Sequence, residues 1–316
     1  MRSEDAFNTF QYPYHQRSIS PFVDAGISCI HGFVLDYMHL VMLGVVKRIL
    51  KALLQPSLHS KARLSVNQRE LLASSMASLK GSLPSEFSRQ PRSTDEVDYW
   101  KATEFRQFLL YLGPIVLRDI FPSQSYDHFM YLSIAISILL NSDAVFRQEN
   151  LLYAKDLLFC FVSNCQHVYG AYFCVYNVHG LLHLHEDVEF HQCSLNDISC
   201  FPFENYLQKI KRSVRSGHSP LVQICKRQAE KFQYKSSSKR VFTKIGFNDK
   251  DGWFFDGENV IFVRGKIGEQ YDCEVYKNYQ LRDVFTRPCS SKLFTIYLLC
   301  NNIQPHFQRL LPRSSF

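Results

Sequence analysis

The sequence predicts an α+β protein, mainly helical, that ends in a small antiparallel β domain. Between Ser65 and Phe190, long segments carry wide apolar faces at helical spacing, as helices that pack on one another do. From about Val241 the chain changes to short apolar or alternating runs, separated by Asp-Gly pairs typical of hairpin turns. We expect four regions, at residues 1–60, 61–195, 196–240 and 241–316.

Composition excludes several classes of protein. The 316 residues are 46% hydrophobic and include 26 Phe and 17 Tyr, which is too apolar for a largely disordered chain. The longest apolar run, Met130–Leu140, is far shorter than the roughly 20 residues that span a bilayer. The N-terminus lacks the apolar stretch of a secretory signal, and ten cysteines without a C-x-x-C pair favour mostly buried thiols in a reducing compartment. We expect a nuclear protein, with the cytoplasm as the alternative.

Positive charge is concentrated in one segment. Asn205–Arg240 holds ten Lys or Arg against one acid, whereas the whole chain has a net charge of only +7. A local basic patch is typical of polyanion binding, and a solvated basic face is the alternative. Helical spacing puts Phe203, Leu207, Ile210 and Val214 on one side, which we expect to be buried. The residues expected to contact DNA phosphates are Lys209, Lys211, Arg212, Arg215, Lys226 and Arg227.

Two isolated carboxylates stand at predicted element boundaries. The run Ile27–Leu40 is rich in β-branched and apolar residues and predicts a buried strand ending near Asp36, followed by a helix over Val41–Leu54. Glu204 opens a helix that then carries only positive charge. Each acid has two interpretations. A carboxylate at a helix start caps the helix or stabilises its dipole, and a carboxylate at a strand or helix end can also bind a metal ion.

Histidines cluster within "YNVHGLLHLHEDVEFH". His179 and His183 are four apart and share a helix face, which is the spacing of a metal-binding pair. The Glu of H-E-x-x-H is absent, so the sequence favours histidines hydrogen-bonded to nearby acids, and no zinc is expected. The candidates for such a supporting role are His39, His179 and His183.

Four strings resemble one family, in order, between Pro21 and Lys231. They are "GFVLDYMHLVMLGVVKRIL", "DYWKATEFRQFLLYLGPIVL", "VYNVHGLLHLHEDV" and "SCFPFENYLQKIKRSVR". The chain resembles the transposases of CACTA/En-Spm-type DNA transposons, especially the animal proteins described as transposase domain-containing. The D-x-M-H and F-P-F-E-N-Y-L strings together are the specific part of the resemblance.

The resemblance implies an RNase H-like nuclease core of the three-acid (DDE) type, interrupted by a helical insertion. Asp36 matches the second acid and Glu204 the third. Such acids hold two divalent ions, Mg²⁺ by preference, about 3.5–4 Å apart, beside the DNA backbone. DNA is therefore the expected partner, no membrane is expected, and homo-oligomerisation stays open.

One feature departs from the family pattern. Only Glu4, Asp5 and Asp24 precede Asp36 among the acids, and the intervening residues are too few for the further strands and helix that the pattern places before the second acid. We therefore expect the second half of a transposase, catalytically incomplete by itself because the first acid is missing. The alternative is a host-retained, non-catalytic DNA- or protein-binding module, and a third hypothesis is an unrelated helical scaffold.

Overall fold

The computed structural model describes residues 3–55, 60–233, 246–299 and 307–312, and it confirms the α+β class. The α-helices, in chain order, are α1 Glu4–Asn8, α2 Pro21–Asp24, α3 Lys47–Leu54, α4 Val66–Ser78, α5 Ala102–Gln107, α6 Gly113–Val116, α7 Ser123–Leu140, α8 Ala144–Glu149, α9 Leu151–Tyr169, α10 Tyr176–Gly180, α11 Leu184–His191, α12 Phe201–Ser213 and α13 Pro220–Gln233. The strands are β1 Trp253–Phe255, β2 Asn259–Ile267, β3 Gln270–Lys277, β4 Leu281–Asp283, β5 Tyr297–Leu299 and β6 Phe307–Pro312.

The chain divides into two compact units. The first holds residues 1–69, 99–113 and 121–200, and the second holds 70–98, 114–120 and 201–316. The N-terminal segment thus belongs to the same unit as most of the long helices.

The core of the first unit is helical. Helices α7 and α9 pack against each other, and the side chains of Phe129 and Phe161 are fully buried between neighbouring elements. A π-helical segment, Met38–Val46, leads directly into α3 and is buried along most of its length. The predicted helical character of this part of the chain is confirmed.

The prediction of a strand that ends near Asp36 is wrong. The backbone over 28–36 forms turns and irregular structure, and a helix begins at Tyr37. Ser28 Oγ accepts hydrogen bonds from the N–H groups of Ile30, at 3.3 Å, and His31, at 2.8 Å, so a hydroxyl-closed turn replaces extended backbone. An apolar run of this length does not by itself distinguish a strand from a buried helix start.

Two glycines allow α10 to approach the π-helical segment closely. A Cβ on Gly180 would lie 2.7 Å from Leu40 Cδ1, and one on Gly44 would lie 2.4 Å from Asn177 Nδ2. Both distances are below van der Waals contact, so the absent side chains set how near these helices come. The helix that carries His179 is thereby placed against the helix that follows Asp36.

The second unit contains α12, α13 and the strands. A four-stranded antiparallel sheet has the order β1-β2-β3-β6, and β4 pairs with β5 in a two-stranded sheet. Alternate residues of β2 and β3 face one small core, formed by Ile261, Val263, Tyr271, Cys273 and Val275. The small antiparallel β domain predicted for the C-terminal part is confirmed, and the structure leaves an RNase H-like core as an expectation.

Candidate functional site

The carboxylate of Asp36 caps the helix that begins at Tyr37. Its Oδ1 accepts the N–H of Met38 at 3.3 Å, and its Oδ2 accepts the N–H of His39 at 3.0 Å. These N–H groups lie in the first turn and have no carbonyl partner within the helix. The helix-cap interpretation of Asp36 therefore describes its local geometry.

A segment far along the chain binds the same carboxylate. The N–H of Cys200 donates to Asp36 Oδ1 at 2.8 Å, and the imidazole Nδ1 of His39 contacts Oδ2. Asp36 thus accepts four hydrogen bonds, which uses all of the roughly four lone-pair sites of a carboxylate. Burial opposes ionisation of Asp36, but the N–H of Cys200 and the contacts with His39 outweigh burial and hold its pKa below the usual value.

Helix α11 fixes the segment that leads into Asp36. Asp187 Oδ2 accepts the N–H of Leu35 at 2.9 Å, and His191 Nε2 donates to the carbonyl of His31 at 2.9 Å. Asp187 is buried, and burial raises its pKa although the Leu35 N–H opposes that shift. Asp36 is therefore held from three directions, by its own helix, by α11 and by Cys200.

Asp36, His39 and Cys200 form a group that could hold a metal ion. A carboxylate oxygen, an imidazole nitrogen and the thiol sulfur all lie within 4.8 Å of one another. Nitrogen and sulfur ligands suit zinc, whereas Mg²⁺ prefers oxygen. Since the lone-pair sites of Asp36 are in use, Mg²⁺ fits this carboxylate only after the His39 imidazole releases Oδ2. The His39 side chain is 55% exposed and has solvent into which it can turn.

Glu204 lies in the first turn of α12 and is exposed. Within the described residues its carboxylate has no hydrogen bond or ion pair, so it is available to a ligand as well as to the helix dipole. Asp36 and Glu204 belong to different units, and the expected pairing of the two acids stays a prediction.

The side of α12 predicted to be buried is largely open. Phe203 is 69% and Leu207 57% exposed, while Ile210 and Val214 are half-buried. The prediction is therefore wrong for Phe203 and Leu207. Helical spacing shows which residues share a face, but it does not show that another element covers that face.

The basic residues expected to contact DNA lie on and after α12 and on α13. Those on or next to α12 are exposed, and they form no ion pair within the described part of the chain; they are Lys209, Lys211, Arg212 and Arg215. On α13, Lys226 is exposed and Arg227 pairs with Glu230 at 2.9 Å. Arg227 is thus partly neutralised by its own helix. The basic tract Lys235–Arg240 lies outside the described residues.

The predicted supporting histidines separate into two places. His39 contacts Asp36, as described above. His179 and His183 contact each other, with their Nε2 atoms 3.5 Å apart, and His183 also contacts Glu186.

Sequence reasoning missed a polar cavity of about 370 Å³ beside α7 and α9. His128 lines it, and the Nε2 of this buried imidazole donates to the carbonyl of Phe161 at 2.8 Å. Burial lowers the pKa of His128 to about 4, so the ring is neutral, and its Nδ1 is buried without a hydrogen-bond partner in the described residues. A lone histidine in an apolar helix was the only available signal.

The prediction of mostly buried cysteines is also wrong. Of the nine described, Cys165 and Cys273 are buried, and the others are partly or fully exposed.

No family model, no curated protein and no solved structure matches this chain. Among the described residues, no helix combines the length and the apolar character needed to cross a membrane.

Proposed function

We propose that this chain is a transposase-derived nuclear protein that resembles the second half of a three-acid DNA transposase. It binds DNA through its basic helices and by itself does not cut DNA. The observation that carries the proposal is the hydrogen bond from Cys200 to Asp36. It joins Asp36 of the D-x-M-H string to Cys200, the residue immediately before the F-P-F-E-N-Y-L string, across 164 positions. A chance match of the two strings would not require the residue before the second string to bind the acid of the first.

The proposal requires Asp36 and Glu204 to share one metal site, and chain connectivity allows this. Glu204 follows Cys200 by four positions. Because an extended chain advances at most about 3.6 Å per residue, the Cα atoms of these two residues lie within about 14 Å of each other. Carboxylates that share two ions need to lie within roughly 8 Å of each other. A crystal structure with Mn²⁺ that places the carboxylates of Asp36 and Glu204 more than about 15 Å apart would contradict the shared site.

Mg²⁺ is the metal of the proposed site, held by Glu204 and by Asp36 once His39 has released it. When bound with DNA, such ions supply activation of the attacking hydroxyl and stabilisation of the leaving oxygen. Two acids give the ions fewer ligands than the three-acid pattern. We therefore expect no strand cleavage or joining by the purified chain in Mg²⁺ or Mn²⁺. Specific cleavage that disappears in both Asp36→Asn and Glu204→Gln would show that the chain is a complete nuclease.

Binding of a DNA duplex, followed by fluorescence anisotropy over a salt series, tests the DNA contact. If about five basic residues meet phosphates, log K falls with log salt with a slope of about −4 to −5. Replacing Lys211, Arg212 and Arg215 by Ala should weaken binding to all sequences alike and reduce the slope by about 3.

A matched control separates local contact from net charge. Arg17, Lys61 and Arg63 are exposed, and their replacement by Ala removes the same charge elsewhere. This control should change the slope little. Equal effects of the two triple variants, or binding independent of salt, would mean that the basic helices are only a solvated surface.

A non-catalytic binding module is the second candidate. Exposed apolar residues beside the basic ones favour it, because Phe203, Tyr206 and Leu207 on α12 offer uncovered contact area. The two candidates differ in their response to Mg²⁺. With a shared metal site, Mg²⁺ strengthens DNA binding and Glu204→Gln removes that gain. With a binding module alone, Mg²⁺ and Glu204→Gln leave the affinity unchanged beyond the effect of ionic strength.

A further inference from the structure

The imidazoles of His179 and His183 are spaced as two ligands of one ion. Their Nε2 atoms lie 3.5 Å apart, and the ring planes are inclined by 68°. In a tetrahedral zinc site with Zn–N bonds of about 2.0–2.1 Å, two ligand nitrogens lie about 3.3–3.4 Å apart. A small rotation of either side chain brings the pair to that value.

A direct hydrogen bond explains the pair less well. N–H donors in proteins usually lie about 2.7–3.2 Å from their acceptors, and the separation here exceeds that range. One of the two rings would also have to carry its proton on Nε2 and donate it to the Nε2 lone pair of the other ring. A bridging ion uses the lone pairs of both nitrogens.

Glu186 sets the tautomer that a metal ligand needs. Its Oε2 lies 3.1 Å from His183 Nδ1, so the proton of a neutral imidazole is held on Nδ1 and the Nε2 lone pair faces His179. A carboxylate that orients a ligating histidine in this way is the usual partner in zinc sites. The pattern H-E-x-x-H has its Glu between the two histidines, and this chain has no Glu there. The carboxylate that contacts His183 instead lies three positions after the second histidine, which the H-E-x-x-H pattern does not include.

The backbone that carries the pair is fixed, and the nitrogens are accessible. Val178 and Leu181 are buried, and Gly180 packs closely on Leu40, so α10 and the turn after it are anchored. The His183 side chain is nonetheless 41% exposed, which leaves an ion open to solvent on one side. The described residues contain no third histidine, cysteine or acid placed to join both rings within 4.8 Å.

We propose that His179 and His183 chelate one divalent transition ion of the zinc type, with Glu186 as the positioning residue. Two coordination positions stay open for water or for a ligand from outside the chain. This site is separate from the proposed Mg²⁺ ligands and does not depend on the transposase proposal.

Zinc titration of the full chain against a chromophoric chelator tests this site. Cys200→Ser serves as the parent protein, because it removes the thiol of the Asp36 group and retains the backbone N–H that binds Asp36. The parent should bind one zinc ion at the histidine pair. Loss of either ring turns a two-point attachment into a one-point attachment, so His179→Gln and His183→Gln should each weaken zinc binding at least about 100-fold.

Two further variants make the result specific. Glu186→Gln keeps both ligands and loses the orienting carboxylate, so it should weaken binding about 10-fold, within the usual effect of such partners. His167→Gln removes an exposed histidine of α9 and should have no effect. With circular dichroism showing all variants folded, equal zinc affinity in the parent and both histidine variants overturns the proposal, as does a parent that binds no zinc. Cobalt(II) in place of zinc should give the intense visible bands of a tetrahedral site in the parent and lose them in His183→Gln.

Discussion

The N–H of Cys200 donates a 2.8 Å hydrogen bond to Oδ1 of Asp36, although 164 positions separate the two residues. Asp36 therefore has two structural roles, because the carboxylate that binds the Cys200 segment also caps the helix that starts at Tyr37. A substitution at Asp36 therefore changes stability whether or not this residue ever binds a metal.

Asp36→Asn should lower the free energy of unfolding by about 1–3 kcal/mol. The amide keeps one acceptor oxygen, but its NH₂ group meets N–H donors where the second oxygen accepted them. Urea unfolding at neutral pH measures the difference. Asp24→Asn is the matched control, because Asp24 is exposed and should change stability by less than about 0.5 kcal/mol. Equal stability of Asp36→Asn and the unmodified protein, which is the parent of this and the following variants, would show that the contact with Cys200 contributes nothing.

Local chemistry at Asp36 could be predicted from the sequence, and the long-range contact could not. An isolated Asp before an apolar helical run predicts a cap, and His39 three positions later lies within its reach. A strand before Asp36 was wrongly predicted because an apolar stretch fits the pattern of a strand and that of a buried helix start equally well. In the structure, the turn closed by the Ser28 hydroxyl replaces the strand. The partner at Cys200 donates a backbone N–H, which every residue except proline carries, so no side-chain pattern marks it.

The ends of helices inside the helical region could likewise not be placed from the sequence pattern alone. Ser93 and Glu96 match the sequence pattern of a capping box, but the glutamate that closes on a helix start is Glu104, whose carboxylate accepts the backbone N–H of Lys101 at 2.8 Å. Glu96 has φ −96° and ψ 15°, outside helical values, so the helix over that segment is interrupted. The β region was easier to predict, because Asp-Gly turns and alternating apolar residues are local sequence signals that do not depend on contacts with distant residues.

Phe203→Gln combined with Leu207→Gln should leave the free energy of unfolding within about 0.5 kcal/mol of the parent. Both side chains are mostly exposed, and Gln is a good helix former, so little burial or propensity is lost. Phe129→Ala, at a fully buried position, should cost about 3–5 kcal/mol and calibrates the measurement. A loss of more than about 2 kcal/mol in the double variant would mean that another element covers α12, as spacing alone had predicted.

Gly113→Ala should destabilise the first unit by about 1–3 kcal/mol. A Cβ there would lie 2.6 Å from Phe129 Cζ and 2.8 Å from the carbonyl oxygen of Phe108, and the Phe129 ring is fully buried. Ala has the better helix propensity by about 1 kcal/mol, so overpacking must exceed that gain. Gly217→Ala, where a Cβ meets nothing within 4 Å, is the control and should be neutral. Adding Phe129→Leu should restore part of the loss, which a double-mutant cycle would report as coupling.

Buried His128 should make the protein less stable in mild acid. Burial lowers its pKa from 6.5 to about 4, so between these values the unfolded chain binds a proton that the folded chain does not. The free energy of unfolding therefore falls as the pH drops from about 6.5 to about 4, by about 3 kcal/mol in all and by about 2 kcal/mol at pH 5.

His128→Phe isolates this contribution from that of every other titrating group. The replacement keeps an aromatic ring against Phe161, whose centroid lies 4.4 Å from that of the imidazole, and it removes the proton-binding nitrogens. Because the Phe161 carbonyl belongs to a helix, it keeps its helical hydrogen bond when the imidazole is lost. Urea unfolding at pH 7 and pH 5 should show that the parent loses about 2 kcal/mol more than the variant on acidification. His218→Phe, at an exposed position, should follow the parent. The same loss in the parent and in His128→Phe would show that this histidine is protonated in the folded protein.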